Sequence, residues 1–278
     1  MPPLLSQGVP SERDYLSAIR SEEFAHLREF SHQFLAQFPR ELQPYANRWV
    51  SDPLHQWSRQ WEYPFVLSRL RPALRAGAPL RVLDAGSGVS FFPYYLGSLF
   101  PSLHITCCDS DPLVGRAFAS IGARADASVE FTCADLRRVP LADASCDAVY
   151  CISVLEHTHN YPDIVGEFKR ILRPGGHLLL TFDISLDGAG EATLVRASEI
   201  MTLVARDFDH SGWDGSSVAS EVNDPGVFTT RKAESIDASL LPWRRPRLFS
   251  RIKSLLTRGS ASWPPLLTIM CLECTKKA

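Results

Sequence analysis

Residues 82–88 read VLDAGSG, an apolar run that passes directly into a glycine turn. This pattern predicts a buried strand followed by a turn that opens a helix. Glycines let the backbone approach a ligand closely, and amides at the start of a helix can donate hydrogen bonds to that ligand. A single Gly-x-Gly is also compatible with an ordinary turn that binds nothing. The flanking sequence has to decide between this and a ligand-binding turn.

The sequence after this turn alternates short β-rich runs with helical stretches, which is typical of a parallel sheet with crossover helices. Strands are predicted at 80–85, 104–109, 129–134, 146–153, 177–183 and 266–276. Helices are predicted at 91–100, 112–124, 161–172, 192–208 and 247–257. A tight turn at 173–176 leads into the fifth strand, and no position is predicted for a sixth strand before the last one.

The regions on either side of this alternation predict two additions to the sheet. Residues 1–75 are predicted to form a helical cap, with a helix over 11–40 whose apolar residues recur at helical spacing and a second helix from Asp52 to about Leu74, interrupted at Pro64. The remainder, 76–278, forms the main domain. Within it, the irregular stretch 184–260 is predicted to be a lid, because long irregular segments in compact domains are usually functional.

Composition narrows the functional classes. The chain has 278 residues and a formal net charge of -2, which does not suggest binding to bulk nucleic acid. Its apolar runs are shorter than the roughly 20 residues that a membrane helix needs, and its start does not resemble a signal peptide, so we expect a cytoplasmic protein that is not integral to a membrane. The oligomeric state is left open.

The seven cysteines are predicted to be reduced thiols, since most lie in or beside predicted strands. Cys271 and Cys274 form a CxxC pair, a spacing that can indicate a metal or redox site. They lie in a predicted strand, where positions three apart face opposite sides of the sheet. A metal site at this pair is therefore not predicted.

Acidic residues follow the second and third predicted strands. Asp109 ends the second strand, where a doubly wound fold places an acid that accepts both hydroxyls of a ribose. Asp111 precedes Pro112 and is predicted to cap a helix. Asp135 follows the third strand, where its carboxylate can accept a hydrogen bond from an adenine amino group while Leu136 packs on the ring. The arrangement fits an adenosine ligand.

Four stretches resemble the class I S-adenosylmethionine (SAM)-dependent methyltransferases, in particular the small-molecule enzymes with a "methyltransferase 11"-type domain. They are VLDAGSG (82–88), CCDSD (107–111), CADLRRVPLADASCDAVYCISVLEH (133–157) and ILRPGGHLLLTFD (171–183). The resemblance implies a Rossmann-like, doubly wound, seven-stranded and mainly parallel sheet, with SAM as cofactor and S-adenosylhomocysteine (SAH) as product. Ser90 stands where the family often has a third glycine. A dehydrogenase is disfavoured, because its third fingerprint glycine is replaced by Phe91.

The same resemblance implies the residues that surround the cofactor. Its methionine part lies among Asp84, Gly86 and Gly88, with Tyr63 of the cap over the carboxylate. The nucleoside part lies beside Asp109, Ser110, Asp135 and Leu136, and Ser153 opens the loop beneath the sulfonium.

Glu156 and His157 follow the fourth strand, where the methyl acceptor should arrive. A hydroxyl acceptor needs a base, and the pKa class of His157 suits it to taking a proton near neutrality, with His159 as a second candidate. The alternative is that Glu156 and His157 only shape the loop. Some relatives bind a metal through a pattern resembling ExxEH, but Ser153 replaces the first carboxylate, so no metal is predicted.

The acceptor pocket is predicted to lie between the cap and the insertion. Its candidate lining residues are Asp183, which ends the fifth strand, His210, Trp213 and Trp61, and Trp61 is also compatible with core packing. The expected acceptor is a metabolite, natural product or sugar that takes the methyl group on oxygen or nitrogen. Two alternatives remain: a lipid-linked or phosphorylated acceptor, suggested by basic residues over 231–258, and an idle SAM-fold binding protein.

Overall fold

The computed structural model describes residues 4–75, 79–122, 129–188, 190–211, 213, 218–241 and 264–277. Its helices are α1 (Glu12–Ile19), α2 (Glu22–Gln37), α3 (Pro39–Ala46), α4 (Arg59–Arg75), α5 (Phe92–Leu99), α6 (Pro112–Gly122), α7 (Tyr161–Ile171), α8 (Leu194–Asp207), α9 (Val218–Glu221) and α10 (Thr230–Ile236). Its strands are β1 (Leu80–Ala85), β2 (Leu103–Asp109), β3 (Val129–Cys133), β4 (Cys146–Ile152), β5 (Leu172–Ser185), β6 (Phe208–His210) and β7 (Leu267–Lys276).

The strands form one sheet in the order β3-β2-β1-β4-β5-β7-β6. β1 to β5 pair in parallel, and β7 runs antiparallel between β5 and β6. The predicted seven-stranded, mainly parallel sheet is therefore confirmed. Because the first five strands run in one direction, their carboxyl ends meet at one edge, which is where ligands bind in open α/β sheets.

Two details of the sheet depart from the sequence prediction. The sixth strand is the three-residue β6 at the edge, too short to give a periodic pattern. The predicted turn at 173–176 lies inside β5 as an irregularity: Leu172 pairs with Cys146 and His177 with Ala148, so five positions on β5 span two on β4. Gly175 has a φ of +72° there, a conformation that glycine adopts without strain.

The N-terminal region folds as α1 to α4. The predicted helix over 11–40 is divided, because Ser21 accepts a hydrogen bond from the amide of Phe24 and so caps a new helix. The second helix begins at Arg59 and not at Asp52, whose carboxylate instead caps the amides of Leu54 and His55 in a turn. α4 also continues through Pro64, since its neighbours are buried against the sheet and tertiary packing outweighs the lost hydrogen bond.

The cap and the sheet share one apolar core. Phe24, Leu27, Phe34 and Phe38 are buried, as their spacing predicted, in the same cluster as residues of β1, β2 and β4. The opposite face of the sheet packs against α7 and α8. Cys271 lies in the first cluster and Cys274 in the second, which confirms that the CxxC pair is divided between the two faces.

The described part of the predicted lid belongs to the domain core. α8 buries Ala197, Ile200, Met201 and Val204 against the sheet, and β6 extends that sheet. Residues 242–263 lie outside the described residues. This range includes the helix predicted at 247–257 and most of the basic residues noted over 231–258. Among the described residues, no helix is long and apolar enough to cross a membrane.

Candidate active site

A cavity of about 640 Å³ opens over the carboxyl edge of the parallel strands. Its walls come from the glycine turn, from the residues that follow β2, β3 and β4, from Asp183 near the end of β5, and from the segment that joins α3 to α4. Small-molecule and cofactor sites typically measure roughly 300 to 1,000 Å³. The cavity therefore has room for a cofactor and for at least part of an acceptor.

The glycine turn forms the floor of this cavity. Gly86 and Gly88 have φ angles of +73° and +51°, which side chains rarely allow. A Cβ on Gly86 would lie 2.5 Å from Cγ2 of Val154, and one on Gly88 would collide with the hydroxyl of Tyr45. Asp84, just before the turn, is buried, and burial raises its pKa to about 7. The sequence prediction did not include Tyr45, which α3 places over the turn.

Asp109 is held in a fixed orientation at the end of β2. Its two carboxylate oxygens accept hydrogen bonds from the amide of Gly88, at 3.0 Å, and from the amide of Asp111, at 2.9 Å. Each oxygen keeps further capacity to accept from a ligand. Asp111 accepts from the amide of Leu113 and caps α6, as predicted. Asp109 and Ser110 both line the cavity.

Asp135 and Leu136 line the cavity beyond the end of β3. Leu136 is buried, whereas the side chain of Asp135 is 49% exposed and pairs with Arg137. Hydrogen bonds from Arg137 lower the pKa of Asp135 to about 2. This carboxylate is therefore ionised and ready to accept a hydrogen bond near neutral pH.

Arg59 and Tyr63 occupy successive turns of α4 on the cap side of the cavity. Tyr63 stacks on Phe92, with ring centroids 4.6 Å apart, so its ring is fixed by packing. The guanidinium of Arg59 donates hydrogen bonds to Glu62 and, at 2.5 Å, to Oγ of Ser153. The sequence prediction placed Tyr63 here and missed Arg59, although an arginine four positions earlier on a helix shares the face of Tyr63.

Glu62 joins α4 to the carboxyl ends of β4 and β5. It is fully buried and accepts hydrogen bonds from the hydroxyls of Ser153, at 2.8 Å, and Thr181, at 2.6 Å. Ser153 has a φ of +48°, which turns its hydroxyl toward this network. A buried carboxylate is tolerated only when it is paired and hydrogen-bonded, and both conditions are met here.

Asp183 and Glu156 form an acidic pair next to this network. The amide of Asp183 donates to Oε1 of Glu156 at 3.2 Å. Burial raises the pKa of Glu156 to about 7, and burial together with the charge of Glu156 raises the pKa of Asp183 well above its ordinary value. Asp183 lines the cavity. Glu156 is 2% exposed and is not among the described residues that line the cavity.

His157 is the member of the predicted catalytic pair that reaches the cavity. It lines the wall, its side chain is 62% exposed, and its Nδ1 lies 2.6 Å from Oε2 of Glu191. The carboxylate of Glu191 fixes the orientation of the imidazole ring.

Three of the predicted acceptor residues lie away from the cavity. Trp61 is fully buried and borders a separate cavity enclosed by α1, α2 and α4. His210 and Trp213 stack on each other, with ring centroids 4.0 Å apart. Because β7 runs antiparallel to β5, His210 pairs with Cys274 at the level of Leu178, far from the carboxyl edge. No described residue from 184 to 241 lines the cavity.

Residues 83–180 match a family model described as a methyltransferase domain. A malonyl-[acyl-carrier protein] O-methyltransferase from Laribacter hongkongensis is 36% identical over 112 residues, which are 37% of this chain and 37% of that protein. A demethylmenaquinone methyltransferase from Deinococcus radiodurans is 35% identical over 106 residues, which are 38% of this chain and 44% of that protein. The matched region thus spans well under half the length of these curated relatives.

Among solved structures, the [4+2]-cyclase SpnF superposes with a TM-score of 0.52 and 16% identity, covering 89% of this chain and 96% of that one. At this identity the likeness shows the fold alone. The family match, the strand order and the cavity at the carboxyl edge agree with one another. Residues 83–180 therefore form a methyltransferase domain of the class I S-adenosylmethionine-dependent family.

Proposed function

We propose that the chain transfers a methyl group from SAM to an oxygen or nitrogen atom of a small-molecule acceptor, leaving SAH. The observation that carries this proposal is the continuity of one cavity. It extends from Asp135 and Asp109, past the glycine turn and Arg59, to Asp183 and His157. A cofactor bound along the first part would present its methyl group to an acceptor in the last part.

The described side chains fit the parts of SAM. In this proposal Asp109 accepts the ribose hydroxyls, Asp135 accepts from the adenine amine, and Leu136 packs on the adenine ring. Arg59 keeps guanidinium N–H groups that are not engaged by Glu62 or Ser153, and these suit the methionine carboxylate. Because Gly86 and Gly88 have no side chains, the turn leaves space for the part of the cofactor that links its two ends.

The acceptor enters between the α3–α4 segment and the loop after β4. Trp49, a residue that is 63% exposed, lines one wall together with Pro53 and Trp57, and His157 and Asp183 line the other. SAM supplies an activated methyl group, so the main task of these residues is alignment, which can lower a barrier by roughly 7 to 11 kcal/mol. The two relatives reported above carry different acceptors in their names, so membership in the family does not identify the acceptor.

The alternative of a lipid-linked or phosphorylated acceptor has less support. Arg231 and Lys232 lie on α10 and do not line the cavity. The other residues of that run, Arg244, Arg245, Arg247, Arg251, Lys253 and Arg258, lie outside the described residues. In the described lining, Arg137 is paired with Asp135, and Arg59 is paired with Glu62 and is assigned in this proposal to the methionine carboxylate, so neither is left for a phosphate.

The experiment combines cofactor binding with methyl transfer. Calorimetry should give micromolar affinity for SAH, reduced about 10- to 150-fold in Asp109→Asn, because a charged acceptor for the ribose is lost. Asp147→Asn is the matched control: Asp147 accepts from the amide of Arg81 at the opposite edge of the sheet, so this variant should bind SAH normally.

The same protein is then incubated with methyl-labelled SAM and a metabolite extract. Transfer of label to a small molecule supports the proposal. Binding of SAH without transfer of label would identify an idle binding protein, and absence of SAH binding would overturn the proposal altogether.

A further inference from the structure

We propose that Asp183 is the residue that receives the methyl acceptor, and that the acceptor presents a hydroxyl or an amine to it and not a carboxylate. This inference rests on the proposed function. It goes further because it assigns the acceptor end of the cavity to one side chain and excludes one chemical class of acceptor.

The first argument is an unused hydrogen-bond acceptor. Oδ1 of Asp183 is buried and has no hydrogen-bond partner among the described residues, although Asp183 lines the cavity. A buried polar atom without a partner costs roughly 1 to 3 kcal/mol, so such atoms are rare unless a ligand or water completes them. An O–H or N–H group of a bound acceptor would supply the missing donor.

The second argument is the charge around this atom. The charged groups that act on Asp183 are the carboxylates of Glu156 and Glu62 and the guanidinium of Arg59. Arg59 is already paired with Glu62, and His157, which acts on Glu156, also lies against Glu191, so neither Asp183 nor Glu156 has an unshared cation among the described residues. Oε2 of Glu156, itself 2% exposed, also lacks a hydrogen-bond partner. A carboxylate acceptor would bring a further negative charge beside two carboxyl groups whose burial and proximity already disfavour charge.

The third argument concerns the cations of the described lining. Arg137 pairs with Asp135 on the adenine side, and His157 is bonded to Glu191. Each therefore already faces a carboxylate, and neither brings an uncompensated positive charge to a carboxylate beside Asp183. A hydroxyl or an amine needs no such partner, because its own proton makes the hydrogen bond to Oδ1.

The transfer step then balances. A lone pair of the acceptor oxygen or nitrogen forms a bond to the methyl carbon, and the carbon–sulfur bond breaks with its electron pair staying on sulfur. The proton that the acceptor loses passes to the carboxylate of Asp183. Because the pKa of Asp183 is raised, its carboxylate is a better proton acceptor near neutral pH than an ordinary aspartate.

The first test needs no knowledge of the acceptor. Sinefungin carries an amine where SAM carries its transferable methyl group, whereas SAH carries nothing there. Calorimetry on the full chain should show sinefungin binding about tenfold more tightly than SAH, and Asp183→Asn should remove most of this difference while changing SAH affinity less than about twofold. Asp207→Asn, at the end of α8, is the control and should retain the difference.

Retained SAH binding shows that Asp183→Asn is folded. Equal affinities for sinefungin and SAH in the wild-type chain, or an unchanged preference for sinefungin in Asp183→Asn, would overturn the inference while the proposed function stands. If the wild-type chain bound neither compound, the proposed function would fail together with the inference.

The second test identifies the chemical class of the product. Label transferred from SAM to a metabolite extract is treated with mild alkali, which hydrolyses methyl esters to methanol but leaves methyl ethers and N-methyl groups intact. We expect alkali-stable label that falls at least tenfold with Asp183→Asn. Volatile, alkali-released label would show a carboxylate acceptor and overturn the inference. If no product were labelled, the proposed function would fail, and the inference about the acceptor with it.

Discussion

Arg59 and Ser153 are 94 positions apart in the chain, yet the guanidinium of Arg59 donates a 2.5 Å hydrogen bond to the hydroxyl of Ser153. Glu62 accepts from both residues, so the three side chains close a buried triangle between α4 and the end of β4. The cap is thus tied to the loop that carries His157. Any group that binds Arg59 from the cavity also acts on the contact between the cap and the sheet.

We expect Glu62→Gln to lower the free energy of unfolding by about 3 kcal/mol, because it leaves the guanidinium of Arg59 buried without its counter-charge. Asp143→Asn is the control, since Asp143 pairs with Arg170 and its side chain is 81% exposed, so the loss of this outer pair should cost less than about 1 kcal/mol. Urea unfolding of both variants measures the difference. Equal losses would show that the buried pair contributes no more than the outer one.

Ser153 combines a positive φ with a hydroxyl that positions Arg59, and two substitutions separate these properties. Both Ser153→Ala and Ser153→Gly remove the hydroxyl, so both should weaken SAH binding about tenfold, or about 1.4 kcal/mol. Only glycine relieves the backbone strain at a φ of +48°. We therefore expect Ser153→Gly to be about 1 kcal/mol more stable than Ser153→Ala in urea. Equal stabilities would show that the backbone there is not strained.

Local sequence patterns sufficed to predict much of the fold. Strands β1, β2 and β4 begin and end within one residue of the predicted positions, because buried parallel strands produce continuous apolar runs. Asp109, the last residue of β2, and Asp135, which comes shortly after β3, reach the cavity because the sheet sets the direction in which these strands end. Positions fixed by the end of a strand were thus accessible from sequence.

Residues positioned by tertiary packing could not be predicted from the sequence. Tyr45, Arg59 and Glu62 meet the glycine turn and Ser153 through the docking of α3 and α4, and sequence spacing does not encode that docking. His210 and Trp213 lie in a stretch that was predicted to be a lid from its irregular sequence, and its described part supplies an edge strand and its packing.

Glu156 should make the stability of the protein depend on pH. Burial raises its pKa from 4.5 to about 7, so between these pH values the folded state binds more protons than the unfolded state. Stability contributed by the protonated carboxyl is complete below pH 4.5 and is lost as the pH rises through 7. Glutamine mimics the protonated form at every pH and keeps the oxygen that accepts from Asp183.

We therefore expect Glu156→Gln to match the wild-type chain near pH 5 and to exceed its free energy of unfolding by roughly 2 kcal/mol near pH 8. Urea unfolding at the two pH values checks this. A variant less stable than the wild-type chain at pH 8 would show that the ionised carboxylate stabilises the fold.

The glycine turn gives the last prediction. Alanine at Gly86 has to adopt a φ of +73° and places its Cβ 2.5 Å from Cγ2 of Val154. The backbone conformation costs about 1 to 2 kcal/mol and the collision adds to it, so Gly86→Ala should lower the free energy of unfolding by about 3 kcal/mol and weaken SAH binding. Gly97→Ala is the control: Gly97 lies in α5 with nothing within 4 Å of the added Cβ, so alanine should stabilise the helix by about 0.5 to 1 kcal/mol.

A double variant separates the two causes of the stability lost in Gly86→Ala, the backbone conformation and the steric collision. Val154→Ala removes the colliding methyl groups, so adding it to Gly86→Ala should recover the steric share and leave the conformational share of about 1 to 2 kcal/mol. The coupling energy from the four urea unfolding curves measures the steric share directly. A coupling energy near zero would show that Val154 moves aside freely, and the requirement for glycine at this turn would then rest on φ alone.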